Sequence, residues 1–265
     1  MTSDPGLAVI TGASSGIGRS LAHVFADHGF DLVLAADEAE VRTVAAESQR
    51  DGNAVSAVEV DLATREGVEE LYAHASTMQR HITAVAINAG MGVHGPFHES
   101  PLDADLRLAD LNVRSAIHLA KLVLPGMVER GHGRVLFTSS IAGLGPGPYH
   151  ATYAASKAFV HSLSEALRHE LKGTGVTTTS LMPGPTDTKF FARAGMEETR
   201  VARGPKADPD DVARDAFKAL MAGKDHVVGG SLLNNVMARG SALVPDRIAA
   251  SLAAIETTPI DERKK

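Results

Sequence analysis

Short apolar runs recur along the chain, each separated from the next by a longer segment with the apolar spacing of a helix. The first run, Leu7 to Ile10, is too short for a helix and ends at a turn, as expected of a buried strand. Similar runs cover 32–34, 54–60, 82–87, 134–137, 176–181 and 226–228. Strands that alternate with helices predict βαβ units and a parallel sheet. We therefore expect one α/β domain over 1–265, a doubly wound parallel sheet with helices on both faces.

One polar stretch interrupts this alternation. Residues 186–209 are charged and lack apolar periodicity, which in a compact domain indicates a binding loop, here interpreted as a substrate lid. A helix is expected afterwards over 212–221, then one or two short helices. The last residues, 260–265, are expected to fray.

A glycine-rich turn lies between the first strand and the first helix. It reads Thr11-Gly12-Ala-Ser-Ser-Gly16-Ile-Gly18, a spacing that differs from the more familiar G-x-G-x-x-G. Glycines at this position let the backbone approach a pyrophosphate, and the helix N-terminus offers it unpaired N–H groups. A turn that serves only tight packing is the alternative. The position between strand and helix favours a dinucleotide site.

Tyr153 and Lys157 are four residues apart, so on a helix they share one face. An ammonium group this close is expected to lower the pKa of the phenol from its usual value of about 10. Such a tyrosine can exchange a proton with an alcohol near neutral pH, and Ser140 can offer its hydroxyl to the same oxygen. The alternative is ordinary packing on a helix surface.

Charge and composition exclude several other classes of protein. The formal net charge of -6 argues against a nucleic-acid or anionic-membrane surface, and no apolar run is long enough to span a bilayer. The chain has no cysteine, and its start lacks the features of a signal peptide, so we expect a cytoplasmic protein. No metal site is expected, because His94 and His98 flank Gly95-Pro96, which forbids a regular helix.

Taken together, these motifs resemble those of the short-chain dehydrogenase/reductases, in the single-domain branch with a Rossmann fold. The resemblance covers essentially the whole chain. Its motifs, in order, are TGASSGIG at 11–18, Asp61-Leu62, Asn88-Ala89-Gly90, Leu111-Asn112-Val113, Ser140, YAASK at 153–157, and Pro183-Gly184 followed by Thr186 and Thr188.

The resemblance implies a catalytic set. Tyr153 would be the general acid/base; Tyr149 does not fit because no lysine follows it four residues later. Ser140 has the family spacing of thirteen residues before the tyrosine, whereas Ser139 is expected to be structural. Lys157 would hold the nicotinamide ribose and lower the tyrosine pKa. Asn112 would order a water for proton exchange, or alternatively be a helix-interior residue satisfied by nearby backbone.

The resemblance also implies a set of residues that bind the cofactor. Beyond Tyr153 and Lys157 these are Gly12, Ser14, Ser15, Gly16, Ile17, Gly18, Asp37, Asp61, Leu62, Asn88, Ala89, Gly90, Pro183, Gly184, Thr186 and Thr188. Asp61 would accept from the adenine amino group, and Thr188 would reach the pyrophosphate. For both, simple loop capping is the alternative.

The end of the second strand bears on which dinucleotide is bound. Asp37 and Glu38 stand there, and an acidic side chain accepts from a ribose 2′-hydroxyl and repels a 2′-phosphate. We therefore expect NAD. NADP stays possible, because relatives that prefer NAD more often carry their Asp one residue earlier, at the position of Ala36. Arg19 and Arg42 are the cations considered for a 2′-phosphate.

The implied function is interconversion of a secondary alcohol and a ketone or aldehyde by hydride transfer, in a homodimer or homotetramer. Alternatives are a catalytically silent dinucleotide sensor or scaffold, and a sugar-nucleotide epimerase or dehydratase, which the short chain disfavours.

Phe190, Phe191 and Met196 are expected to line an apolar pocket or to pack the lid. His150 is expected to be a solvated loop residue, with substrate contact as its alternative.

Overall fold

The computed structural model describes residues 5–230 and 246–258. Its centre is a sheet of seven parallel strands in the spatial order β3-β2-β1-β4-β5-β6-β7. The strands are β1 (Leu7–Thr11), β2 (Asp31–Ala36), β3 (Val55–Glu59), β4 (Ile82–Ile87), β5 (Gly133–Thr138), β6 (Val176–Pro183) and β7 (His226–Gly229). The order reverses direction between β1 and β4, which makes a switch point where ligands bind in doubly wound folds.

Helices connect the strands and cover both faces of the sheet. They are α1 (Gly16–Asp27), α2 (Glu40–Glu47), α3 (Arg65–Thr77), α4 (Leu102–Ala109), α5 (Ser115–Glu129), α6 (Ala151–Glu170), α7 (Phe190–Arg193), α8 (Arg200–Arg203), α9 (Pro209–Met221) and α10 (Asp246–Thr257). A π-helical turn, Asp110–Arg114, joins α4 to α5, and a 3-10 turn, Ile141–Leu144, follows β5. None of the helices in the described ranges combines the length and apolar character needed to cross a bilayer.

Each face of the sheet has its own apolar core, because successive strand residues point to opposite faces. On one face Val9 and its neighbours pack against α3, α5 and α6. On the other, Ile10 and its neighbours pack against α1, α2 and α9. Both faces of the central strands are therefore buried, which explains why their sequences are continuous apolar runs rather than alternating ones.

The predicted fold class is confirmed, and the boundaries differ only locally. The helix expected at 212–221 begins at Pro209, because the Asp208 side chain accepts from the Asp210 N–H and proline suits the first helical turn. α4 begins at Leu102, and the π-helical turn separates it from α5. The expected fraying at 260–265 lies outside the described residues.

The segment 186–209, expected to be a lid, carries two single-turn helices, α7 and α8. Its two ends are tied by an isolated parallel bridge between Thr186 and Ala207. Phe191 and Met196 are buried in a small apolar cluster that belongs to this segment itself. The segment is therefore a compact loop with its own packing, although its role as a substrate lid stays a prediction.

Candidate active site

The glycine turn of residues 11–18 is shaped by close backbone contacts. Gly12 and Gly16 have φ angles of +66° and +54°, which favour glycine. A Cβ atom on Gly18 would lie 2.0 Å from the Gly12 carbonyl oxygen, so no larger residue fits there without a shift. The turn leads into the N-terminus of α1, whose first turn carries no acidic residue. This turn fits a pyrophosphate, because it leads directly into a helix N-terminus, which favours an anion.

Thr11 fixes this turn to the end of β4. Its buried hydroxyl accepts from the Asn88 and Ala89 N–H groups at 2.9 Å each. The Asn88 amide donates back to the Thr11 carbonyl oxygen at 3.0 Å, and Thr138 donates to its amide oxygen at 3.2 Å. These bonds bring the predicted motifs at 11–18 and 88–90 together across the switch point.

Tyr153 and Lys157 lie on α6, one turn apart as predicted. The Lys157 ammonium nitrogen is 5.7 Å from the centroid of the tyrosine ring and donates to the Thr138 carbonyl oxygen at 2.8 Å. A Cβ atom on Gly90 would lie 3.1 Å from the same nitrogen. The motifs containing Gly90, Tyr153 and Lys157 thus converge on one place at the carboxyl edge of the sheet.

The protonation of this pair differs from the sequence-based expectation. Burial raises the pKa of Tyr153 to about 12, although a hydrogen bond with Ser140 acts in the opposite direction. Burial lowers the pKa of Lys157 to about 8. Desolvation therefore dominates the pKa of both groups, and the expected lowering of the tyrosine pKa is wrong for the chain by itself.

The two serines after β5 have different surroundings. The Ser140 hydroxyl caps the 3-10 turn by accepting from the Ala142 N–H at 3.1 Å, and its side chain also faces Tyr153. Ser139 is buried and donates to the Lys157 carbonyl oxygen at 2.7 Å. Ser139 therefore links β5 to α6, in agreement with its expected structural role.

Asn112 is buried in the π-helical turn, and its amide is fully used inside the chain. It accepts from the Met91 N–H at 2.9 Å and donates to the Met91 carbonyl oxygen and to the Ser156 hydroxyl. The Ser156 hydroxyl in turn donates to the Tyr153 carbonyl oxygen. These contacts match the structural alternative for the side chain; the water-ordering role stays a prediction.

Charged side chains surround the ends of β2 and β3. We call Asp37, Glu38, Asp61, Arg107 and Arg193 the charged corner. Arg107 donates to the Asp61 carboxylate at 2.9 Å and lies 4.0 Å from Asp37. Partial burial raises the pKa of Asp61, but hydrogen bonds from Arg107 and the Ala63 N–H outweigh this and leave it below its ordinary value. The carboxylate predicted to meet adenine is thus already paired with a cation.

Glu38, rather than Asp37, is the acid that contacts the glycine turn. Ser14 donates to its carboxylate at 2.9 Å, and Arg193 from α7 approaches both carboxylate oxygens, at 2.5 and 2.7 Å. The Asp37 side chain is 61% exposed and points toward Arg107 instead. Arg19 and Arg42, considered above for a 2′-phosphate, pair with Glu47 and Glu59 respectively.

The start of the segment 186–209 lies over the site. The Thr186 hydroxyl donates to the Gly184 carbonyl oxygen, and the Thr188 hydroxyl accepts from the Phe190 N–H, as its capping alternative predicted. The Thr188 methyl group also covers Gly16, where a Cβ atom would come within 2.7 Å of it. The Phe190 ring is 5.0 Å from the Tyr153 ring, between centroids.

The remaining predicted cofactor residues lie around the same edge. Ser15 precedes α1 in an extended conformation, Ile17 packs on the core beneath the turn, and Leu62 is buried beside β3. Pro183 ends β6, next to Gly184. Their roles toward a cofactor stay predictions.

His150 is buried rather than solvated, contrary to the expectation. It is 9% exposed, its ring centroid lies 6.1 Å from that of Tyr153, and its Nδ1 atom has no hydrogen-bond partner among residues 5–230 and 246–258. Burial, with a smaller effect of His94, lowers its pKa to about 4, so the imidazole is neutral at pH 7. It follows Tyr149, which has a φ angle of +62°.

Comparison with known proteins identifies the family. A family model for short chain dehydrogenase matches residues 6–199. The chain belongs to the short-chain dehydrogenase family. Among curated relatives, an uncharacterized oxidoreductase of Staphylococcus saprophyticus is 34% identical over 216 residues, which is 81% of this chain and 90% of the relative. This short-chain dehydrogenase is accordingly an oxidoreductase.

Solved structures agree with this family. A short-chain dehydrogenase from Sphingobium yanoikuyae in complex with NADPH has a TM-score of 0.80 and 31% identity, covering 94% of each chain. An alcohol dehydrogenase from Thermococcus sibiricus complexed with 5-hydroxy-NADP has a TM-score of 0.74 and 25% identity, covering 85% of this chain and 96% of that one. The Rossmann-type sheet of the short-chain dehydrogenase is therefore shared with structures that hold a nicotinamide dinucleotide.

Sequence reasoning missed three side chains of the site. Arg107 and Arg193 are far in sequence from their carboxylate partners Asp61 and Glu38, and no local pattern signals such pairs. Phe190 was placed in a pocket, but its contact with the catalytic candidate Tyr153 was not foreseen.

Proposed function

We propose that the protein uses NAD(P)(H) to interconvert a secondary alcohol and a ketone or aldehyde. The observation that carries this proposal is the convergence of Tyr153, Ser140 and Lys157 beside the glycine turn. A protein that only binds a dinucleotide has no need of all three. The family membership supports the same conclusion.

Tyr153 acts as the general acid in the reductive direction. With a pKa raised to about 12 by burial, the phenol carries its proton at pH 7 and can give it to a developing alkoxide. Ser140 donates its hydroxyl to the same oxygen and so stabilises the negative charge. Lys157, held by the Thr138 carbonyl oxygen, brings a cation next to the phenol and lowers the energy of the phenolate that remains.

The glycine turn and the N-terminus of α1 would hold the pyrophosphate of the cofactor. Asn88, Ala89 and Gly90 would line its ribose and nicotinamide. Pro183, Gly184 and Thr186 would hold the carboxamide, and Thr188 would reach the pyrophosphate. When bound, the nicotinamide supplies or accepts the hydride. Asp37 and Glu38 favour NAD(H) by their charge, whereas the related structures above contain NADPH and an NADP derivative. The expected homodimer or homotetramer and the cytoplasmic location stay predictions.

The test measures whether the purified protein oxidises NADH or NADPH in the presence of a panel of ketones and aldehydes. The decrease in absorbance of the reduced nicotinamide gives the rate. Tyr153→Phe should lower turnover by about 10²–10⁴-fold, the usual contribution of a general acid. Tyr149→Phe is the matched control and should keep wild-type turnover. Unchanged turnover in Tyr153→Phe would refute the acid role, and dinucleotide binding without turnover on any substrate would favour a sensor.

A further inference from the structure

Glu38 lies where a Rossmann fold meets the 2′ position of the adenosine ribose. It follows Gly18 by twenty residues, the separation at which such folds place the acid that binds the ribose. Its carboxylate is fixed to the glycine turn by the Ser14 hydroxyl at 2.9 Å. By itself, a carboxylate at this place repels a 2′-phosphate.

The charge of Glu38 is balanced by a cation from a distant part of the chain. Arg193 lies on α7, 155 residues away in sequence, and its Nη2 atom is 2.5 and 2.7 Å from the two carboxylate oxygens. Other arginines near the glycine turn, α2 and α4 have their own carboxylate partners: Arg19 with Glu47, Arg42 with Glu59 and Arg107 with Asp61. The cation at the 2′ position therefore comes from the segment over the site.

This ion pair is suited to exchange. The Arg193 side chain is 46% exposed and that of Glu38 is 32% exposed, and solvent weakens pairs of this kind. A guanidinium group binds phosphate, as it does carboxylate, through two parallel hydrogen bonds, so a 2′-phosphate can replace Glu38 as the partner of Arg193. Arg193 can thus leave Glu38 for a phosphate without exposing a buried charge.

We propose that Arg193 recognises the 2′-phosphate of NADP(H), and that Glu38 holds this arginine in place when the phosphate is absent. The inference rests on the proposed function, since it assigns a residue to the same cofactor. It gives a chain with acidic residues after β2 a binding group for the phosphorylated dinucleotide. Because Arg193 follows Thr188 and Phe190, binding of the phosphate would also hold this segment over Gly16 and Tyr153.

The experiment measures calorimetric dissociation constants of the full chain for NADPH and NADH, and for adenosine 2′,5′-bisphosphate and adenosine 5′-monophosphate. Each pair of ligands differs by the 2′-phosphate. Arg193→Gln should weaken binding of NADPH and of the bisphosphate by tenfold or more, and change binding of NADH and the monophosphate by less than threefold. Arg203→Gln is the matched control: the same charge is removed from the same segment, where Arg203 pairs with Glu198.

A second variant tests the other half of the pair. Glu38→Gln frees Arg193 and removes the repulsive carboxylate, so NADPH should bind several-fold more tightly than to wild type. Equal losses for both dinucleotides in Arg193→Gln, or the same selective loss in Arg203→Gln, would overturn the inference. Selective binding of the bisphosphate through Arg193 with no turnover would sustain it while refuting the proposed function.

Discussion

The two ends of the candidate site differ in the burial and the pairing of their charged side chains. In the catalytic corner, formed by Ser140, Tyr153 and Lys157, Lys157 is 5% exposed and faces a backbone carbonyl rather than a carboxylate. In the charged corner, side chains are 32–61% exposed and paired with opposite charges. Both corners lie at the carboxyl edge of the same sheet.

This difference decides what each corner can do. Burial without a counter-charge changes pKa values, and in the proposed function the catalytic corner is the one that transfers a proton. Exposed ion pairs contribute little to the free energy of unfolding. A ligand with the same charge as one member of the pair can therefore take its place. The catalytic corner is thus suited to chemistry and the charged corner to choosing between ligands.

The largest effect is expected at Lys157. Because its pKa is lowered to about 8 in the folded protein, the unfolded chain binds more protons between pH 8 and 10.5, and stability should rise with pH in that range. From pH 8 to 10 the gain is about 2–3 kcal/mol. Above pH 10 the raised pKa of Tyr153 acts in the opposite direction, so measurements stop there.

Urea unfolding at several pH values checks this prediction. Lys157→Met should be more stable than wild type at pH 7.5, and the difference should shrink as the pH approaches 10. Parallel pH profiles for wild type and variant would show that burial does not control this ammonium group. The catalytic corner would then not differ from the charged corner in the effect of burial on its charged group.

A smaller effect is expected at Thr11, which joins the glycine turn to the end of β4. Thr11→Val leaves the Asn88 and Ala89 N–H groups without their acceptor and should lower the free energy of unfolding by about 1–3 kcal/mol. Thr11→Ser keeps the hydroxyl and should lose less. Thermal or urea unfolding of both variants measures this, and a Thr11→Val variant as stable as wild type would contradict the stabilising role of the hydroxyl.

The smallest effect is expected at the pair of Arg107 and Asp61. Arg107→Gln should change the free energy of unfolding by at most about 1 kcal/mol, because the two side chains are 47% and 38% exposed. A double-mutant cycle with Asp61→Asn isolates the coupling, which should decrease further at high salt. A coupling energy above about 2 kcal/mol at physiological salt would show that this exposed pair stabilises the fold as strongly as a buried pair.

The sequence by itself determined the parallel sheet, the position of the glycine turn and the shared helix face of Tyr153 and Lys157. These features depend on local patterns, such as apolar runs, turn glycines and a spacing of four residues, and local patterns are visible in one dimension. The preference for Ser140 over Ser139 came from the resemblance, through the family spacing of thirteen residues before Tyr153, and its catalytic role stays a prediction.

Only the tertiary structure decided how those residues are charged and which distant groups meet them. The rise in the Tyr153 pKa, the burial of His150 and the choice of Glu38 over Asp37 at the glycine turn depend on what packs around each group. The contact between Arg193 and Glu38 joins residues from opposite ends of the chain. Desolvation and long-range ion pairs depend on which residues pack together in the folded chain, so the spacing of residues along the sequence does not predict them.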